Sequence, residues 1–271
     1  VSLTDDGRDA NERWAVLLAG WAIPDHLVAA APESPYFFNP SVFSAAADAA
    51  IDRAEDTPSD SIARGALPTG GTVLDVGVGA GAASVRLRPA HITGVDLNPQ
   101  MLDAFIDQAE KRGIATTAIC GRWPDIASTT PVADLAVCHH VAYNVGDLAG
   151  FASALTAHTR RRVVMEFTAV HPLAWMAPYW KALHGLAQPD GPTADDAVAV
   201  LRGLGLAVQQ QRWQRPIEMI GEHAAHAVDH LARRLCLPAD RRHELEDLLR
   251  RLPPPATRDV ATVWWDHARS A

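Results

Sequence analysis

The chain has 271 residues, 48% hydrophobic and 21% charged, which suits one large α/β domain with additions. Its net charge of −8 argues against a general nucleic-acid binder, which needs a basic surface to displace phosphate counterions. No apolar run is long enough to span a bilayer, the acidic start lacks a signal-peptide layout, and Cys120, Cys138 and Cys236 read as free thiols, so a cytoplasmic protein without a membrane partner is expected.

Residues 1–68 read as an N-terminal helical cap. Trp14, Leu17, Leu18 and Trp21 form one helical stripe, Pro24 opens a turn, and a proline-flanked aromatic stretch, Tyr36-Phe37-Phe38, precedes a helix over 41–54. Thr57-Pro58-Ser59-Asp60 reads as a break. From residue 69 the rhythm changes. β-branched runs at 72–76, 92–96, 117–120, 134–138 and 162–167 alternate with helical stretches, one of them starting at 82–87. Such alternation predicts a parallel sheet with helices on both faces, and ligands at the carboxyl ends of its strands. An aromatic, proline-punctuated segment over 168–192 reads as a lid. A helix capped by Thr193 follows. Strands are expected at 206–213 and 259–265, with a helical insertion over 217–252 between them. The domain from 69 to 271 is thus the core of the molecule.

The run Asp75-Val76-Gly77-Val78-Gly79-Ala80-Gly81 begins inside the first strand and continues beyond it. Its glycines make a tight turn against which a ligand can press bare backbone, with a helix N-terminus expected to face that ligand. The pattern Gly77-x-Gly79-x-x-Ala82 also satisfies a dinucleotide fingerprint, so the loop alone leaves two cofactor classes open. Asp96 closes the second strand 19 positions after Gly77, where a carboxylate accepts hydrogen bonds from a ribose diol. After the third strand, Gly121-Arg122-Trp123-Pro124 is a polar-aromatic loop suited to an adenine ring.

Taken in order, Leu74-Asp75-Val76-Gly77-x-Gly79-x-Gly81, Gly94-Val95-Asp96-Leu97-Asn98-Pro99-x-Met101, Gly121-Arg122-Trp123-Pro124 and Asp134-Leu135-Ala136-Val137-Cys138-His139-His140 resemble the class I S-adenosylmethionine-dependent methyltransferases. The likeness covers residues 71–167 well and the remainder only in layout. It implies a Rossmann-like seven-stranded, mostly parallel sheet whose last strand is antiparallel. It implies S-adenosyl-L-methionine as cofactor and S-adenosyl-L-homocysteine as product. On this resemblance Gly77, Val78, Gly79 and Gly81 would line the methionine part and Asp75 its amino group. Asp96 would hold the ribose, Leu97 and Met101 would pack on the adenine, and Gly121, Arg122 and Trp123 would flank its other side. His139 and His140 would lie near the reactive methyl.

Methyl transfer from a sulfonium is an in-line displacement. It requires alignment and, for an oxygen nucleophile, a base. His140 and His139, after the fourth strand, and Glu166, ending the fifth, are the expected catalytic groups. Tyr143, Asn144, His171, Trp175 and Tyr179, with Tyr36 and Phe37 from the N-terminal side, are the expected substrate walls. His223, His226 and His230 share a helical edge, but without a glutamate after His226 they read as solvated, and no metal is expected. No Tyr-x-x-x-Lys supports a nicotinamide dehydrogenase. The expected activity is O- or N-methylation of a small molecule. A macromolecular acceptor and a non-catalytic cofactor binder are the alternatives, and the inserted helices offer a surface for a homodimer.

Overall fold

The computed structural model describes residues 3–36, 40–217 and 224–267, without the side chains of 40–43 and 224–227. The described helices and strands are, in order, α1 (Asp5–Ala19), α2 (Asp25–Ala30), α3 (Pro40–Ile51), α4 (Pro58–Ala66), β1 (Thr72–Val76), β2 (His91–Asp96), α5 (Pro99–Glu110), β3 (Ala115–Cys120), β4 (Ala133–His139), α6 (Leu148–Ala157), β5 (Thr159–Thr168), α7 (Ala177–His184), α8 (Ala194–Gly203), β6 (Gln209–Pro216), α9 (Ala224–Arg234), α10 (Arg242–Arg251) and β7 (Thr257–Asp266). The strands form one seven-stranded sheet in the order β3-β2-β1-β4-β5-β7-β6. β7 runs antiparallel to both β5 and β6, and the other pairings are parallel.

Alternation along the strands divides the core between the two faces of the sheet. Leu74, Val76, Ala136, Val163, Met165, Phe167, Val263 and Trp265 point to one face and pack with residues of α1, α6 and α8. Val73, Leu135, Val137 and Val164 point to the other and pack with Ala63 of α4. The segment 1–68 is therefore not a layer of its own. α1 lies against α8 and α6 and buries Trp14 completely, whereas α4 lies across the opposite face. Where α1 crosses α8, a β-carbon on Gly7 would stand 2.8 Å from Gly203 Cα, so two residues without side chains let the backbones meet.

Two local expectations need correction. Thr57-Pro58-Ser59-Asp60 starts a helix rather than ending one. Thr57 Oγ1 accepts from Asp60 N at 3.2 Å, and Asp60 Oδ2 accepts from Thr57 N at 2.8 Å, a reciprocal cap with proline in the first turn. The helix expected from residue 82 is only a turn followed by one 3-10 turn, Val85–Leu87. Pro89 disfavours helical backbone at Arg88, which turns left-handed at φ +53°. Buried Arg86 leaves its own turn to bind elsewhere. It donates to the carbonyls of Ala50, Ile51, Arg53 and Glu55, and to Asp56 and Asp60. Its guanidinium thus satisfies carbonyls at the end of α3 that have no intrahelical partner.

The segment expected as a lid and the helical insertion share a third cluster. Tyr179, Trp180 and Leu183 of α7 pack with Leu231 of α9, Leu235 just after it and Leu245 of α10, and Leu27 of α2 joins them. In the chain this satellite is built mainly from the segment after β5 and the one between β6 and β7.

Candidate functional site

At the carboxyl ends of β1 and β2 the glycine loop is tied to the neighbouring strand. Gly77 N and Val78 N both donate to Val95 O, at 2.8 and 3.0 Å. Gly77, at φ +72°, has no room for a β-carbon, which would lie 2.1 Å from Val141 Cγ2. Around Gly79, by contrast, a β-carbon would meet nothing within 4 Å. Gly79 N donates to Asp96 Oδ2 and Asn98 N to Asp96 Oδ1, both at 2.9 Å. Two backbone amides thus fix the carboxylate beside the open glycine. Each oxygen keeps a second lone pair, which suits a pair of ribose hydroxyls. Leu97, the next residue, is 58% exposed and offers an apolar surface. Met101, in the first turn of α5, is buried. Asp75 is buried in β1, with Oδ2 free of any hydrogen bond to the described residues. Burial raises its pKa to about 6, against the lowering influence of the Ser84 hydroxyl and of His139. An unsatisfied acceptor behind the loop suits an amino group.

The loop after β3 departs from expectation. Gly121 N donates to Asp96 O at 3.0 Å, and Arg122 is exposed. The Trp123 ring, however, turns inward. It is 6% exposed, donates from Nε1 to Phe151 O at 3.3 Å and meets His158 edge-on. It packs under α6 as a core residue and does not flank the mouth.

Past β4 and β5 the structure assembles a polar cluster. Glu166 is buried in β5 and is register partner to His139 in β4. Ser59 Oγ, from the first turn of α4, donates to Glu166 Oε2 at 2.6 Å and also lies 2.7 Å from Thr262 Oγ1. Trp213 Nε1 donates to the same Thr262 oxygen at 3.0 Å. Arg215 Nη1 donates to Glu166 Oε1 at 3.3 Å. Nε2 of His140 is 2.8 Å from that oxygen, close but out of line for a full hydrogen bond, and Nδ1 of His139 is 4.0 Å from Oε2. Burial opposes the charge on Glu166, yet His139, His140 and Arg215 together hold its carboxyl well below the usual range. His140 has left-handed backbone at φ +60°, and its N–H donates to Glu166 O at 2.9 Å. Strain at a non-glycine residue is kept here by the strand that also carries its partner.

Ser59, Arg215, Thr262 and Trp213 were not anticipated from the sequence. A serine in a helix cap and polar residues near a strand end carry no local sign of converging on one carboxylate. Several expected wall residues lie elsewhere. Tyr143 is buried and donates its hydroxyl to Thr168 O at 2.7 Å, with its ring against Phe167 and His171. Burial pushes that phenol's pKa up further. His171 is buried in a stack on Trp21, centroids 3.9 Å apart. Tyr179 is buried and donates its hydroxyl to Leu252 O. These three cement α1, the lid segment and α10 and do not line a mouth. Trp175 is half-buried against Tyr179, Asn144 and Tyr36 are exposed, and Phe37 lies outside the described residues. His223 and the side chain of His226 lie outside them too, and no group of three metal-ligating side chains occurs among the described residues.

Comparison with known proteins bears on the region just described. Residues 73–162 match a family model described as a methyltransferase domain. The ribosomal protein L11 methyltransferase of Aliivibrio salmonicida is 33% identical over 95 residues, which are 34% of this chain and 31% of that protein. The match therefore spans about a third of that relative's length. Among solved structures, the YcgJ protein of Bacillus subtilis is similar with a TM-score of 0.53 at 16% identity, over 78% of this chain and 99% of that one. A SAM-dependent methyltransferase from Thiobacillus denitrificans, in complex with S-adenosyl-L-homocysteine, is similar at 0.52 and 19% identity, over 85% and 100%. Another from Geobacter sulfurreducens, with the same ligand, gives 0.52 and 17%, over 82% and 98%. At these identities the likeness is one of fold.

Proposed function

We propose that this chain, a class I S-adenosylmethionine-dependent methyltransferase by its domain match and its sheet order, methylates a small molecule at oxygen or nitrogen by in-line displacement. The observation that carries the cofactor reading is the Asp96 carboxylate, fixed by the amides of Gly79 and Asn98 beside an open glycine and an exposed Leu97. In this reading Asp96 holds the ribose hydroxyls, Leu97 supports the adenine, and Asp75 Oδ2 accepts from the methionine amino group. The cofactor supplies an electrophilic methyl on a sulfonium, so the chain's own work is to align the acceptor and take its proton.

The Glu166 carboxylate serves the second task. It sits by Nε2 of His140, so that the proton prefers that nitrogen and Nδ1 is left to accept one from the acceptor. Ser59 and Arg215 keep Glu166 charged and in place. A small acceptor is favoured over nucleic acid by the net charge of −8. The Aliivibrio relative matches only the shared domain, so its protein substrate does not carry over. No described helix is long and apolar enough to cross a membrane. The surface of α9 and α10 is where we place any homodimer contact.

Calorimetry with S-adenosyl-L-homocysteine and with NAD tests the cofactor. Binding of NAD alone would sink the reading. Label transfer from methyl-labelled cofactor into a metabolite extract, run beside a protein extract, tests the acceptor class. Label in protein alone would replace the small molecule with a macromolecule.

A further inference from the structure

The carboxyl edge of the sheet carries an arginine pair of which the proton-taking step proposed above uses only Arg215. Arg215 on β6 and Arg258 on β7 are direct cross-strand partners. Directly opposed residues share a face with their β-carbons roughly 5 Å apart, and like charges placed so repel. Glu166 is on that same face, because it pairs with Thr262 and Arg258 lies four residues earlier on the same strand. It is the one carboxylate that touches the pair among the described residues, through Arg215. Its oxygens are already shared with Ser59 and approached by His140. Asp259, next in sequence, faces the other way and accepts from Gln214. Arg258 Nε is buried without a hydrogen-bond partner among the described residues. Burial and then the charge of Arg215 lower its pKa, with Glu166 only partly offsetting them. Arg215 alone reaches that carboxylate, which is already committed, so the charge of Arg258 and its planar donors remain over.

We propose that Arg215 and Arg258 receive an anionic group, a carboxylate or a phosphate, on the methyl acceptor, and so select an anionic substrate class for the activity proposed above. Guanidinium forks match both groups and bind them bidentately. The position assigns the site to the acceptor and not to the cofactor's own carboxylate. With the order β1-β4-β5-β7-β6, β7 is three strands from the glycine loop, roughly 14 Å at the usual strand spacing. The same edge lies beside His140 and Glu166, so an acceptor anchored there would extend toward the base.

The test uses the whole chain and three probes: benzoate, phenyl phosphate and the neutral isostere benzamide. Each is titrated by calorimetry with and without saturating S-adenosyl-L-homocysteine. At least one anion is expected to bind, and benzamide to bind much more weakly. Arg258→Gln and Arg215→Gln should each weaken that anion roughly tenfold or more, as loss of a charge-assisted bond does. Affinity for S-adenosyl-L-homocysteine should be unchanged, and Arg258→Gln should melt no lower than wild type because a like-charge contact is relieved. Which anion binds decides between carboxylate and phosphate. The proposal falls if neither anion outbinds benzamide, or if anion binding survives both substitutions. Failure of S-adenosyl-L-homocysteine to bind would instead remove the methyltransferase reading, and the titrations without it would still judge the arginine pair.

Discussion

The two halves of the mouth are built differently. In the cofactor half, Gly79 and Asp96 are 17 residues apart and Asn98 is two further on, all within one strand–loop–strand unit. In the acceptor half, Glu166 meets Ser59 across 107 residues, and Ser59 meets Thr262 across 203. On the proposed reading, a ligand common to many proteins is held by one contiguous stretch, whose backbone geometry forces its residue types. The part proposed to meet the acceptor is gathered from α4, β4, β5, β6 and β7, and none of its residues is unusual where it stands in the chain. The first half is therefore expected to fail locally when altered, and the second through the fold.

The largest effect should come from Glu166→Gln. The change keeps a partner for Ser59 but leaves two histidines and Arg215 facing a neutral amide. Removing one member of a buried ionic group costs about 3 kcal/mol. Urea unfolding at pH 7 should show that loss, with affinity for S-adenosyl-L-homocysteine little altered. Because the Glu166 carboxyl is held well below its usual range when folded, its contribution is present at neutral pH and fades as pH falls below about 4.5, so the two unfolding curves should converge in acid. Asp96→Ala should do the reverse. We expect affinity for S-adenosyl-L-homocysteine to fall by about 2 kcal/mol, roughly thirtyfold, with a near-normal melting temperature. If each variant lost both properties together, the halves would not be separable and the comparison would break.

Gly77→Ala probes the hinge between them. A β-carbon there would run into Val141, the residue after His140, so the substitution should displace the acceptor half from within the cofactor half. Overpacking and a positive φ together should cost about 2 kcal/mol. Val141→Ala added to Gly77→Ala should recover the steric part of the loss, and strict additivity in that double-mutant cycle would show that the contact is not the cause.

How much of this was legible follows the same division. β1 was expected over 72–76 and is found there, and the other strands are longer or shifted by a few residues because alternation marks a core better than it marks an end. The antiparallel last strand was expected from the resemblance and holds. The position of Asp96 beside the glycine loop was legible because it is local. Trp123, Tyr143 and Tyr179 could not be sorted, since an aromatic in a polar loop looks the same whether its ring turns outward or under a helix. Only α6, α1 and α10, distant in sequence, decide which way each one faces. The missing helix after residue 82 was obscured by good helix formers. The outcome there turned on Pro89 and on a guanidinium that serves another helix, and the second of these is a tertiary fact. Ser59 was hidden because a capping box and a chain break share the same residue types.

The smallest net effect in wild type comes from two buried groups that titrate in opposite senses. Burial against Trp21, with the charge of Arg234 adding to it, lowers His171 to about 4 from its ordinary 6.5. Below pH 6.5 the unfolded chain takes up a proton that the folded chain refuses, so stability is lost as pH falls from about 6.5 to 4. Burial raises Asp75 from 3.8 to about 6. Its folded form keeps a proton that the unfolded chain releases, so stability is lost as pH rises through the same interval. Each effect is about 3 kcal/mol, and in wild type they largely cancel, leaving a shallow profile between pH 4 and 6. His171→Phe preserves the ring stack and removes one slope, so the variant should lose stability as pH rises from 4 to 6. Asp75→Asn should lose it as pH falls. Urea midpoints at half-unit steps of pH would show the two profiles diverging from wild type in opposite directions. If the His171→Phe profile instead lay parallel to wild type, His171 would be titrating freely in the folded protein, and the Trp21 stack would not be what couples α1 to the lid segment.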